Sequence, residues 1–173
     1  MKTAMLSLLF WRYPLDRTFE AISRIGYDGI DLYGARPHAY PYDMDERRID
    51  EVLRLKEKYQ LEIPMYTPEI LTYPYNIPSQ DRREREDTRK YLFRALEVAS
   101  ALGIPRMQVT CGHAGNNTTR RQNYANMYEV FAPLIEKAEK EQVTIILEAL
   151  TVMESNTVVF ADDLVEILDH FNS

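Results

Sequence analysis

The sequence predicts an α/β fold built of five βα units around parallel strands. Three observations carry that expectation. Five short apolar runs recur along the chain, and each is followed by a polar loop and then by a segment of helical periodicity. The runs are spaced near-regularly, as alternating units with right-handed crossovers require, which leaves either an open doubly wound sheet or a barrel. Neither Gly-x-Gly-x-x-Gly nor Gly-x-x-x-x-Gly-Lys follows any run, so a nucleotide-binding open sheet loses its main support.

The first strand is read over Thr3 to Leu9. Its helix carries Leu15, Phe19 and Ile22 at helical spacing and stops at Gly26, which can take the left-handed conformation that ends a helix. Asp28 to Tyr33 alternates as a strand does, with Gly34 opening the loop after it. A second helix is expected from Asp45 to Tyr59, its stripe formed by Ile49, Val52, Leu53 and the stem of Lys56. Leu61 to Thr67 is the third strand. Pro68 to Gln80, with three prolines and two tyrosines, is too aromatic for a flexible linker and reads as an ordered covering loop.

The mixed-charge run Asp81 to Lys90 is expected to be a solvated helix face, with Tyr91, Leu92, Ala95, Leu96, Ala99 and Leu102 on the buried side. Met107 to Cys111 is the fourth strand and Gly112 to Asn117 its loop. The fourth helix runs through Tyr124, Met127, Tyr128, Phe131, Leu134 and Ile135, and Pro133 should kink or break it. Val143 to Leu147 is the fifth strand, running directly into Glu148, and Asp162 to Phe171 is the fifth helix. No composition shift marks a domain boundary, so residues 1–173 are read as one unit.

Composition sets the outer bounds. With 45% apolar and 28% charged residues over 173 positions, the chain can bury a core, and it holds no apolar stretch long enough to span a bilayer. A cytoplasmic location is expected. Cys111 stands alone, without a partner for a disulfide or a thiolate metal site, and is read as a small core residue. The net charge of −6 supplies no basic footprint for a nucleic acid partner.

In parallel βα architectures the loops at the carboxyl ends of the strands build the site, so polar residues there weigh most. They are Tyr33, Arg36 and His38 after strand two, Tyr66 and Glu69 after strand three, His113 after strand four, and Glu148 and Glu154 after strand five. Each has an ordinary alternative. Among 12 tyrosines, Tyr33 and Tyr66 can be packing residues with a satisfied hydroxyl, and His38 can be a loop residue. The glycines around His113 bring backbone close to something, which favours a site role. Glu148 is the strongest signal. A strand buried on both faces reads as continuous Val, Ile and Leu, and a carboxylate at its end must be paired, protonated or bound to a cation. A salt bridge to a neighbouring Lys or Arg is one solution; a hard divalent ion held by oxygen and imidazole ligands is the other.

Gly26-Tyr27-Asp28-Gly29-Ile30-Asp31, Arg36-Pro37-His38-Ala39, Tyr66-Thr67-Pro68-Glu69, Tyr73-Pro74-Tyr75-Asn76, His113-Ala114-Gly115, and Ile146 to Thr151 followed by Glu154-Ser155-Asn156 together resemble the xylose isomerase-like TIM barrels. Within them they are most similar to the ketose 3-epimerases, including those acting on fructoselysine, D-tagatose and D-psicose. The resemblance covers essentially the whole chain. It implies an incomplete (β/α)8 barrel, its first five βα units, with parallel strands. It also implies a divalent metal, Mn2+ first and Mg2+, Co2+ or Zn2+ as alternatives, held in the family by Glu, Asp, His and Glu from strands five to eight. Carried onto this chain, Glu148 is the first metal ligand and an acid/base residue, and Glu154 a contact to a substrate hydroxyl. His38, Tyr66 and His113 match pocket positions. The implied substrate is a small sugar or Amadori compound, epimerised through an enediolate.

The five units end at Phe171-Asn172-Ser173, where the family's sixth strand and its Asp ligand would begin. One of four metal ligands and one of two catalytic glutamates are therefore expected here. The isolated, truncated chain is expected to be inactive, because Glu148 alone is a very weak metal site. Strands one and five, left as unpaired edges, are expected to drive homo-oligomerisation or pairing with a complementing C-terminal fragment. Two other functions compete: an endonuclease IV-like repair nuclease on the same scaffold, which needs many more histidines than the three present, and a non-catalytic half-barrel.

Overall fold

A computed structural model describes residues 1–172. Five strands, β1 (Ala4–Leu6), β2 (Gly29–Gly34), β3 (Glu62–Pro68), β4 (Arg106–Thr110) and β5 (Thr144–Glu148), form one sheet in the order β1-β2-β3-β4-β5. Every neighbouring pair is parallel. Each strand is followed by a helix: α1 (Leu15–Ile25), α2 (Glu46–Tyr59), α3 (Arg82–Ala101), α4 (Arg120–Glu141) and α5 (Ala161–Phe171). Strand order decides between the two architectures the sequence allowed. A doubly wound sheet reverses direction at a switch point, whereas here each new strand adds to the same side, as around a barrel wall. The fold is a partial TIM barrel, with β1 and β5 as its two edges.

Local chemistry accounts for the element ends. Gly26 closes α1 at φ 98°, its N–H reaching back to Ile22 and Ser23, and Asp45 caps α2 by accepting from the Arg48 N–H at 2.8 Å. Thr119 caps α4 through the Gln122 N–H. Two expectations about length change. β1 stops at Leu6, because Ser7–Phe10 turns into a 3₁₀ segment whose Ser7 hydroxyl accepts the Tyr33 N–H at 2.9 Å. α4 runs unbroken through Pro133, so the expected break does not occur.

The core lies between the sheet and its helices. Phe19, Ile22, Ile30, Leu32, Tyr66, Leu92, Leu96, Met107, Val109 and Phe131 are all buried. The charged run at the start of α3 is largely solvated, as expected, except at Arg85. Its guanidinium turns inward to donate to the Ser79 carbonyl at 2.9 Å and pair with Glu129 at 2.8 Å. The proline-rich loop over 68–80 is ordered: Ile70 and Ile77 are buried, and Tyr73 and Tyr75 stack against Tyr40 and Tyr91. Cys111 is buried, as expected. Among the described residues no helix is long and apolar enough to cross a membrane.

Candidate active site

In a parallel sheet, residues opposite one another point to the same face. The register therefore sorts the strands into two sets. Met5, Ile30, Leu32, Tyr66, Met107, Ile145, Val109 and Leu147 face the helices. Leu6, Asp31, Met65, Gln108, Ile146, Thr110 and Glu148 face the other way, onto the concave side that a barrel would enclose.

This sorting corrects the reading of β5. Burial along it alternates, with Ile146 36% exposed, so the strand is not buried on both faces. Glu148 is exposed at the strand end, and the desolvation argument that singled it out does not apply to it. What holds it is the Gln108 amide, whose Nε2 donates to Glu148 Oε2 at 2.5 Å. Among the described residues Glu148 has no Lys or Arg partner, so its carboxylate faces the open side as an acceptor with one neutral donor.

Glu154 is exposed in the loop after β5, where Thr151 Oγ1 donates to it at 2.8 Å. Its two neighbours have structural work. Ser155 Oγ accepts the N–H groups of Thr157 and Val158, folding the loop on itself. Asn156 reaches the loop after β4, accepting the Ala114 N–H through Oδ1 and donating to the Gly115 carbonyl through Nδ2, both at 2.8 Å. From the other side Asn76 Nδ2 donates to the His113 carbonyl at 2.9 Å. His113 thus stands half-exposed between two clamps, at the same end of the sheet as Glu148, and its own Nδ1 accepts the Gly115 N–H at 3.0 Å.

His38 and Tyr66 lie deeper. His38 is buried, its Nε2 within 3.1 Å of the Tyr13 carbonyl and 3.4 Å of Thr18 Oγ1, and its Nδ1 within 3.3 Å of Ser7 Oγ. Burial depresses its pKa below the ordinary imidazole value. Tyr66 points to the helix side and donates its hydroxyl to the Ala39 carbonyl at 2.6 Å; burial raises its pKa well above the ordinary range. Tyr33 donates to Glu69 at 2.7 Å, and Arg36 closes a bidentate pair with Asp43 at 2.5 and 2.7 Å. The structure brings Glu148, Glu154 and His113 to the rim of the concave face and ties the polar atoms of His38 and Tyr66 into the wall.

Three residues on the concave face went unread in the sequence: Asp31, Thr67 and Gln108. Asp31 is buried beneath the open face, accepts Thr67 Oγ1 at 2.7 Å, and has its pKa pushed up to about 6 by burial, with the Glu148 charge adding to the rise. A signal existed for it: an Asp flanked by Ile30 and Leu32 inside a strand is the same irregularity that drew notice at Glu148.

No group of three or more His, Cys, Asp or Glu side chains among the described residues could hold a metal ion. Glu148 is a suitable hard oxygen ligand, but alone it does not make a metal centre.

Comparison with known proteins fits this architecture. The chain is 34% identical over 168 residues to the fructoselysine 3-epimerase of Escherichia coli O157:H7, covering 97% of the chain and 61% of that protein. It therefore spans about 60% of the length of the curated relatives it matches. Among solved structures, a D-tagatose 3-epimerase-like protein superposes with a TM-score of 0.83 at 20% identity, covering 97% of this chain and 60% of the other. The IolI protein with a bound zinc atom superposes with a TM-score of 0.78 at 14% identity, covering 100% and 60%. The profile of one family, the xylose isomerase-like TIM barrel, matches residues 19–173, which take in β2 to β5 and all of the helices but the first turn of α1. By that match and by its sequentially wound parallel sheet, the chain belongs to the xylose isomerase-like TIM barrel family.

Proposed function

We propose that the chain carries the Glu148 side of a sugar epimerase or isomerase site, one that moves a proton at the carbon beside a ketose carbonyl. The observation that carries this reading is the placement of Glu148: exposed at the carboxyl end of β5, on the concave face, its carboxylate oriented by Gln108. Removing the C–H proton and returning it to the other face passes through an enediolate, and a carboxylate is required on each face of the substrate. Glu148 takes the proton on one face. Glu154, exposed six residues on, receives a substrate hydroxyl, while His38 and Tyr66 shape the wall behind the pocket.

A divalent ion, Mn2+ before Mg2+, Co2+ or Zn2+, would stabilise the enediolate charge when bound. Glu148 would contribute one oxygen ligand to it, and the remaining ligands and the second carboxylate would come from further βα units, on the same polypeptide or on a complementing one. The substrate is a free ketose or an Amadori compound of the fructoselysine type, met in the cytoplasm. The greater length of the relatives supports this division of the site.

A turnover assay on D-psicose and on fructoselysine, with Mn2+ and with the chain alone, tests the reading. No turnover is expected alone. Adding the three C-terminal βα units of the Escherichia coli O157:H7 relative is expected to restore turnover, which Glu148→Gln then removes. Full activity of the chain alone, or restored activity indifferent to Glu148→Gln, would refute it.

A further inference from the structure

We propose that His113 acts as an Nε2–H hydrogen-bond donor to an oxygen of the bound sugar, and is held out of metal ligation by the clamp that Asn76 and Asn156 close on its loop. The inference deepens the sugar-site reading above and rests on it.

The argument begins with one hydrogen bond. His113 Nδ1 accepts the Gly115 N–H at 3.0 Å. A ring nitrogen that accepts an N–H must present its lone pair, so the neutral imidazole carries its proton on Nε2. A histidine that ligates a metal through Nε2 needs the opposite arrangement, with the proton on Nδ1 and given to a carboxylate or carbonyl. Here a second donor, the Gly115 N–H, occupies that place. Ligation through Nε2 would set two protons against each other, and ligation through Nδ1 would take away the acceptor of the Gly115 N–H.

The loop is not free to exchange one arrangement for the other. Thr157 Oγ1 donates to the Gly112 carbonyl at 3.2 Å, Asn76 Nδ2 to the His113 carbonyl at 2.9 Å, and Asn156 takes both the Ala114 N–H and the Gly115 carbonyl at 2.8 Å. The peptide groups from 112 to 115 are therefore held from the loops after β3 and β5 at once. Turning the Gly115 N–H away from His113 would require breaking the Asn156 pair. Meanwhile Nε2 has no partner among the described residues, on a ring that is half-exposed at the rim. A preset N–H donor beside a ketose meets a hydroxyl or the oxygen on which enediolate charge develops, and an acceptor oxygen is what it can bind.

Long-range 1H–15N correlation spectra of the chain, labelled at histidine nitrogens and complemented with the unlabelled C-terminal βα units used above, read the proton position directly. For the neutral ring the expected result is a protonated Nε2 and an unprotonated Nδ1 for His113, with the Asn156→Ala variant losing that single-tautomer signature. Zn2+ titration is expected to leave both ring nitrogens unmoved, and D-psicose to shift Nε2 and its proton. A protonated Nδ1, or a Zn2+-induced displacement at either ring nitrogen, overturns the proposal. Psicose that shifts the amides around Glu148 while His113 stays still overturns the donor role alone. Psicose that shifts nothing overturns the sugar-site reading beneath it.

Discussion

Gly112 is where the two clamped loops press hardest on the backbone, and substituting it tests the account of the site quantitatively. Its φ is +70°, and a Cβ placed there would stand 2.6 Å from Asn76 Oδ1, a buried atom without a hydrogen-bond partner. Gly112→Ala therefore meets two costs. The left-handed backbone costs an alanine about 1 kcal/mol. The Asn76 side chain must also move, breaking its bond to the His113 carbonyl, which adds about 1 to 2 kcal/mol. Gly103→Ala isolates the first cost, since Gly103 has φ +64° and nothing within 4 Å of its would-be Cβ. Urea denaturation followed by circular dichroism should show Gly112→Ala destabilised by about 2 to 3 kcal/mol and Gly103→Ala by about 1. At a slope of about 2 kcal/mol per molar urea, that separates their midpoints by about 0.5 to 1 M. Equal midpoints would mean that Asn76 does not stand where the clamp requires, and the argument about His113 would fall with it.

Four further outcomes follow from the same geometry. Asp31, with its pKa pushed up to about 6 against an ordinary 3.8, binds its proton more tightly folded than unfolded. Stability from that proton is full below pH 3.8 and lost as the pH rises through 6, so Asp31→Asn should stabilise the chain by about 2 to 3 kcal/mol at pH 8 and lose that advantage near pH 3.5, read by urea midpoints at both pH values. Cys111, buried with its thiol pushed up to about 12, should resist Ellman's reagent at pH 8 until urea unfolds the chain; prompt labelling of folded protein would contradict its burial. In the complemented barrel Glu148→Gln should lower kcat by about 10²- to 10⁴-fold, the range for losing a positioned proton carrier, measured by ketose interconversion. Light scattering at rising concentration should show self-association through the open edges of β1 and β5, suppressed by Ile146→Lys on the concave face of β5; a concentration-independent monomer would count against those edges as sticky surfaces.

Much of the architecture was legible because it depends on local periodicity. Apolar runs, the cap at Gly26 and the buried stripe from Tyr91 to Leu102 are properties of consecutive residues, and each appears where the spacing puts it. β1 was overread because Leu8 and Leu9 extend an apolar run that Ser7 ends by turning inward to hold Tyr33. Arg85 was overread as solvated for the parallel reason: its buried acceptors, the Ser79 carbonyl and Glu129, lie on other segments. Glu148 was found through an argument about burial that the structure does not uphold, although its place at the strand end follows from the fold.

The sequence by itself determined five βα units, their order and the strand ends from which a site must be built, because periodicity, capping and turn chemistry act over a few residues. Only the tertiary structure decided which side of each strand is concave, and hence that Asp31, Gln108 and Glu148 share a face while Tyr66 turns toward the helices. It alone joined Asn76 and Asn156 across the loop of His113. Those outcomes depend on strand register and on contacts between residues 37 to 42 positions apart, and no local pattern in a single chain encodes them.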